Sequence, residues 1–442
     1  MLKTLPNMFK VHDLRMKILF TLGMIAVYRV GSFIPAPGID YNAVEALRAR
    51  SNQGGLLQLL GLFSGGALTQ FAIFALGIMP YITAQIIFQI LGVVIPKIEE
   101  WQQQGAVGQR KITQWTRYLT VAIAMVQATS FSFLFHNTNN PISNTGGSQI
   151  DLLPDFNVGT VSLVVMTLTA GVALLMWMGE LITQRGVGNG MSLLIFASII
   201  STFPAQGISV YQDNGLFALL VLISMAVALT VAIVYVEQGQ RRIPVQFAKR
   251  VVGRRMYGGQ NTYIPLKVNQ SGVIPIIFAS SVLYLPQLLA VALPFESFQR
   301  WVDGNLSQPD NFWYYFIFGI LILGFAYFYT AITFDPAKQA DTIRKQGGFI
   351  PGIRPGPQTE RYLAKILSRI TLPGALFILL IALVPSIIIW QLDWSAEGGN
   401  AGSANFGFLG ISILIAAGVA LETMRQIDSQ LTMRNYEGFL TK

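Results

Sequence analysis

The side chains that usually carry chemistry are almost missing from this sequence. It has no cysteine and only two histidines, His12 and His136. That excludes disulfides, iron–sulfur clusters, thiolate zinc sites and an HExxH-type zinc site. The glycine-rich string Gly186-Val187-Gly188-Asn189-Gly190 has the outline of a nucleotide loop. It lacks a preceding strand pattern and a Walker lysine, and it joins two apolar runs, so it reads as a tight turn. Within the apolar runs the one charged residue is Arg29, near the outer end of the first, while Glu180 and Glu422 fall at run ends. An intramembrane aspartyl protease, a histidine relay and an arginine-rich voltage sensor are thereby excluded. A sodium site lined by Ser and Thr stays open, but a coupled pump is disfavoured. What remains is physical rather than covalent. Ile78, Ile82 and Ile277 either pack helices and face lipid, or line an apolar neck that closes by dewetting.

The other dense signal is basic. The linker 237–270 carries Arg241, Arg242, Lys249, Arg250, Arg254 and Arg255. The linker 335–369 includes Phe349-Ile350-Pro351-Gly352-Ile353-Arg354-Pro355-Gly356-Pro357. Its three prolines fix φ and forbid helix around Arg354, which leaves a stiff projecting loop with a cation near its tip. Charge alone serves topology; this investment in shape favours docking.

The elements that must position these groups follow from composition. Of 442 residues, 52% are hydrophobic and 12% charged, against about 25% charged in an average soluble protein. Seven runs, 156–179, 186–212, 214–236, 271–295, 311–334, 370–392 and 398–421, contain no Asp, Glu, Lys or Arg. Each exceeds the ~20 residues a helix needs to cross a ~30 Å hydrocarbon core. Adding 18–33, 71–95 and 118–135 predicts an all-α polytopic membrane protein of ten spans. The first run follows Lys3, Lys10, Arg15 and Lys17 and continues to a proline-rich exit, so it reads as a retained span rather than a cleaved signal. The expected organisation is a tail 1–17, a first five-helix half 18–205, a second half 206–425 and a tail 426–442.

With the N-terminus inside, 26 of the 30 basic residues fall in inside segments, and Arg48, Arg50 and Arg300 outside. The positive-inside rule then places both termini in the cytoplasm. The basic inner face suits anionic lipid, or an acidic protein or RNA partner. Five spans per half invert the second half relative to the first, the topology of an inverted repeat. Gly77-Ile78-Met79-Pro80-Tyr81-Ile82 in span two is echoed by Gly272-Val273-Ile274-Pro275-Ile276-Ile277 in span seven. One stretch resists a simple helix. Residues 51–96 carry no charge until the run ends, and as one helix would reach ~69 Å, so the chain must break or fold back. Gly61, Gly65 and Gly66 mark the break, leaving 56–63 as a short apolar helix, either re-entrant or interfacial.

Several long strings, in order, resemble the SecY family, the large subunit of the protein-conducting channel. They are RVGSFIPAPGID (29–40), FSGGALTQFAIFALGIMPYITAQII (63–87), MWMGELITQRGVGNGMSLLIF (176–196), and the segments 239–281 and 328–362. The resemblance implies ten helices in two halves around an hourglass pore. It implies a constriction ring of Ile78, Ile82, Met191, Ile195, Ile277 and Ile415. Met191 stands where a branched aliphatic is expected, although a thioether suits a deformable gasket. It further implies a plug around 56–70, including Leu56, Leu59, Leu60, Leu62, Phe63, Ser64, Gly65 and Gly66. Gln70 stands where some relatives carry a basic residue. A lateral gate between spans two and three and spans seven and eight would be lined by Thr83, Gln85, Gln89, Asn269, Ser280 and Ser281. Arg254, Arg255 and Arg354 would dock a ribosome and the SecA motor. No cofactor and no catalytic residue are implied. The partners implied are SecE-like and SecG-like small subunits, signal peptides, nascent chains and the lipid bilayer of a plasma or thylakoid membrane.

The physics fits. An unfolded chain needs an aqueous route because each unsatisfied backbone group costs several kcal/mol in lipid. A signal helix needs the opposite, an exit to hydrocarbon. Two rivals share the topology: an inverted-repeat secondary transporter and a scaffold subunit without a pore.

Overall fold

A chain buried in hydrocarbon must satisfy its backbone internally, and helix is the way a single segment can do so. Each of the ten apolar runs accordingly contains helix in the computed structural model. The structure describes residues 11–39, 44, 61, 64–68, 70–136, 156–247, 250–252, 255–257, 262–292, 296–306, 312–391 and 409–440. The helices are α1 (His12–Gly31), α2 (Met79–Val94), α3 (Pro96–Gln103), α4 (Ala106–His136) and α5 (Val158–Arg185). Next come α6 (Gly190–Gln212) and α7 (Gly215–Gln238), separated by a break at Gly215. The remainder are α8 (Ile274–Ala292), α9 (Glu296–Asn305), α10 (Phe312–Thr333), α11 (Pro336–Lys345), α12 (Pro357–Gln391) and α13 (Leu409–Leu440).

Among the described residues, six stretches are long and apolar enough to cross a bilayer: α5, α6, α7, Phe312–Lys345, Pro357–Pro385 and Leu409–Thr432. The bent pair α2 and α3, turned through 101° at Ile95, makes a seventh if counted as one span. The predicted ten is thus a mostly helical membrane protein with six or seven spans by this measure. Helix α1 falls outside it while carrying Arg15, Lys17 and Arg29.

The predicted span 71–95 is corrected at its start. Residues 70–78 form turns, and helix begins only at Met79. Phe71 and Gly77 have φ of 45° and 58°, outside helical space. The backbone is satisfied by a neighbour instead: the Ile73 amide donates to Ile34 O at 2.9 Å, and the Ala36 amide to Phe71 O at 2.9 Å. Non-helical backbone survives at such a place because it is enclosed by protein, and Phe71, Ala72 and Phe74 to Ile78 are buried.

That enclosure depends on Gly171 of α5. A Cβ there would lie 2.1 Å from the Ile73 carbonyl oxygen. Backbone cannot swing aside, so Gly171→Val is expected to destabilise the fold by about 1–3 kcal/mol through overpacking. Thermal unfolding in detergent against the parent chain checks this; an unchanged melting temperature would contradict it.

The helices pair as α2 with α4, α4 with α5, and α5 and α13 with the α6–α7 unit; α8 packs on α10, α10 on α12, and α12 on α13. Helix α8 also touches α2 and α4. One continuous apolar core, from Tyr28 through Ile78, Leu194 and Ile277 to Ile415, joins these elements.

Outside the helices, the two basic linkers are stitched together. Strand β1 (Gln240–Phe247) pairs antiparallel with β4 (Thr262–Lys267), from Gln240 opposite Lys267 to Val245 opposite Thr262. A short hairpin of β2 (Arg250–Val252) and β3 (Arg255–Tyr257) lies between them. From the second linker, β5 (Gly348–Phe349) adds to β1 at Gln246 and Phe247. Ile243, Val245 and Leu266 from the first linker share a small core with Phe334, Ile343, Ile350 and Leu363.

Candidate functional site

All six residues expected at the constriction are buried, and all six belong to the same apolar core. Four elements deliver them. Ile78 is the N-cap of α2, and Ile82 lies one turn on. Met191 and Ile195 occupy the first turns of α6, Ile277 the first turn of α8, and Ile415 the second turn of α13. The local reason is the same in α2 and α8. Gly77 (φ 58°) and Gly272 (φ 61°) turn the chain in left-handed conformation, and helix starts two residues later with proline at its second position, Pro80 and Pro275. Proline is preorganised for a first helical turn, where its missing N–H costs nothing. The sequence echo is therefore also a conformational one.

Met191 is also part of the wall of a cavity of about 830 Å³. Polar side chains contribute to that wall, among them Arg110, Gln114, Arg117, Glu180, Gln184 and Asn189, although most of its accessible surface is apolar. Arg117 of α4 and Glu180 of α5 form a two-pronged ion pair, Nε to Oε1 at 2.6 Å and Nη2 to Oε2 at 2.5 Å. Fork-on-carboxylate geometry fixes orientation as well as charge. A cavity with an ion pair in its wall thus abuts a core without polar side chains at those six positions. The Gly186–Gly190 string is the expected tight turn: Asn189 accepts from the Met191 amide at 3.1 Å, and the Gly190 amide donates to Thr183 Oγ1 at 2.9 Å.

Of the expected plug, Leu56, Leu59, Leu60, Leu62 and Phe63 lie outside the described residues. Ser64 and Gly65 are buried and Gly66 half-buried. Ser64 Oγ donates to Gly61 O at 3.3 Å and accepts from the Leu68 amide at 3.2 Å. The backbone here is gripped from α1. Tyr28 Oη lies 3.2 Å from Ser64 O and 2.6 Å from Ser198 Oγ. Arg29 Nη1 donates to Gly65 O at 2.7 Å and to Ser201 Oγ at 3.0 Å. Reading the sequence missed Tyr28, Ser198 and Ser201; the signal was the solitary charge at Arg29.

The six expected gate residues divide. Gln85 is exposed and Gln89 half-buried, on one face of α2 at the i, i+4 spacing. Half-buried Thr83 donates to Met79 O at 3.0 Å. Ser280 and Ser281 are buried and both donate to Ile277 O, at 2.9 and 2.8 Å. Asn269, also buried, is a strut: its Nδ2 donates to Glu237 Oε1 at 2.6 Å and to Gly272 O at 3.1 Å. It ties the end of α7 to the turn that launches α8.

Arg354 is exposed between Gly352 and Gly356, both of positive φ. Its carbonyl accepts from the buried Thr359 hydroxyl at 3.0 Å, which pins the loop to the start of α12. Arg254 lies outside the described residues, and Arg255 opens β3.

Residues 72–424 match the SecY family model. The chain is similar to the protein translocase subunit SecY of Streptomyces galbus, 49% identical over 446 residues with all of both chains covered. The same-named subunit of Mycobacterium tuberculosis is 48% identical over 450 residues, again covering both fully. In fold it is similar to a solved protein-conducting channel, at a TM-score of 0.60 and 17% identity over 93% of this chain and 91% of that one. It is also similar to Sec61 in a canine ribosome–channel complex, at 0.54 and 16% over 93% and 91%. With the family model spanning most of the chain and full-length relatives at nearly half identity, this multi-pass membrane chain belongs to the SecY family.

Proposed function

We propose that this chain is the pore-forming subunit of a translocase that passes unfolded secretory polypeptides across a membrane and releases apolar helices sideways into lipid. The observation that carries the reading is a cavity with an ion pair in its wall that ends on an apolar core built from four helices. In it, Ile78, Ile82, Met191, Ile195, Ile277 and Ile415 form the constriction. Aliphatic side chains seal around a moving chain without binding it, since they offer no hydrogen bonds to break.

Ten membrane-crossing helices, in halves 18–205 and 206–425 of opposite orientation, complete the architecture. The matched Gly–Pro starts of α2 and α8 support the repeat. The packing of α8 on α2 and α4 supports a lateral gate between those elements. Gln85 and Gln89 are its polar lining; Asn269, Ser280 and Ser281 act behind it by holding α8. Residues 56–70 serve as the plug. Both termini face the cytoplasm of a bacterial cell at its inner membrane, following the basic inner segments. SecE-like and SecG-like subunits brace the bundle. Arg254, Arg255 and Arg354 dock the SecA motor or a ribosome, which supplies the work, so the chain itself needs no catalytic group. The secondary-transporter alternative finds no support in the family match.

A stalled secretory chain carrying a single cysteine, joined to the channel as a disulfide by an added oxidant, tests this. It is expected to crosslink to cysteines placed singly at positions 78, 82, 195 and 277, on a background free of native cysteine. Absence of crosslinks at all four, with efficient crosslinking elsewhere, would overturn the reading.

A further inference from the structure

A positive charge within an apolar span is costly, and such residues usually have a partner that explains them. Among the described residues, no carboxylate pairs with Arg29. Instead its Nη1 donates to the Gly65 carbonyl at 2.7 Å and to Ser201 Oγ at 3.0 Å, and its guanidinium sits 4.7 Å from the Phe33 ring centre. The neighbouring Tyr28, fully buried, repeats the pattern one residue earlier in the plug and about one turn earlier in α6: Ser64 O at 3.2 Å and Ser198 Oγ at 2.6 Å.

The protons can be counted. Ser201 Oγ donates to Ser198 O at 2.7 Å and so is free to accept from Arg29. Ser198 Oγ also lies 2.8 Å from Leu194 O, so Tyr28 and Ser198 have two protons for three contacts; when Ser198 turns its proton to Tyr28 Oη, the tyrosine proton goes to Ser64 O. In that arrangement two consecutive plug carbonyls are held by two consecutive donors of α1, each braced by a serine of α6. The backbone comes this close because position 65 is glycine. A Cβ there would be 3.1 Å from Ser198 Cα and 3.2 Å from both Ser201 Oγ and Tyr28 Oη, and φ is +64°. Ile195, one turn before Ser198 on α6, is a constriction residue in the reading above. A widening of the constriction that moves α6 therefore also pulls on the braces.

We propose that Arg29 and Tyr28 are positioning residues that latch the plug shut, and that Arg29 sets how strong a signal sequence must be to open the channel. This rests on the plug reading of residues 56–70. Hydrogen bonds from charged donors are worth more than neutral ones, so Arg29 carries the larger share.

The experiment uses the complete translocase in vesicles. It measures resting ion conductance and export of a precursor with a crippled signal sequence. Arg29→Met, which keeps the bulk of the side chain and loses its donors, is expected to raise both about tenfold. Ser201→Ala, a smaller insult to folding, is expected to move both in the same direction by less, and Arg29→Lys to restore much of the parent behaviour. Deleting residues 56–66 is expected to raise both readouts and to leave Arg29→Met without further effect. A purely structural role would lower the amount of assembled channel without relaxing signal selectivity, and that result overturns the latch. So does parent-like conductance and selectivity in both Arg29→Met and Ser201→Ala while the deletion leaks, or additivity of Arg29→Met with the deletion. If the deletion itself leaves closure and selectivity unchanged, the plug reading falls and the latch with it.

Discussion

Ile277→Asn is expected to raise resting ion leak about 5–150-fold while the protein still assembles. Ile277 is 7% exposed within the apolar core, on the first turn of α8. The amide of asparagine buried there lacks the bonds it would make in water, which costs the closed state about 1–3 kcal/mol. An open, wetted neck relieves that cost, so the closed-to-open balance shifts by the corresponding factor. The same change should admit precursors with weak signals, because less signal energy is then needed to open. Ile277→Val is the control, since it trims one methylene and introduces no polar atom. Conductance across vesicles and export of a signal-defective precursor are the measurements. Parent-like values for both in Ile277→Asn would remove Ile277 from the constriction.

The second large effect concerns Arg354. Arg354→Glu is expected to weaken docking of the motor by about 2 kcal/mol or more, roughly a 30-fold loss of affinity. Export driven by the motor should fall accordingly at limiting motor concentration. Thermal stability should stay unchanged, because the side chain is exposed. The loop's shape comes from the prolines and from the Thr359 hydroxyl on the Arg354 carbonyl, none of which the substitution touches. Arg354→Lys should retain more function than Arg354→Glu, which separates charge from shape. Normal motor-coupled transport in Arg354→Glu would refute the docking role.

Much of the fold was legible because membrane helices obey a blunt rule: twenty apolar residues without charge. The separation of α6 from α7 was readable from the charge at Asp213 between two apolar runs, and the Gly186–Gly190 turn from its glycines, which punctuate such runs. The irregular segment 70–78 was not readable. Its composition is that of a helix, and what prevents one is tertiary: the exchange of hydrogen bonds with residues 34–36 and the close approach of Gly171. The sheet was also hidden. Ile243, Val245 and Phe247 alternate as a strand should, but Arg241, Arg242 and Pro244 masked the signal, and β5 is two residues long. The constriction list came from resemblance to a family rather than from spacing, because isoleucine in a membrane helix is ordinary; only assembly of four helices makes these six neighbours of one core. The grip of Tyr28 and Arg29 on residues 64 and 65 is likewise a contact between distant parts of the chain, and only the isolated charge hinted at it.

The junction of β5 with β1 has a mechanical corollary. Because the two projections share a sheet and a small apolar core, a push delivered to the Arg354 tip becomes torque on the base of α7 and α8 as well as on α11 and α12. A partner docked as proposed would not merely sit on two separate antennas; it would hold a handle, and turning that handle would lever the helices to which the sheet is joined.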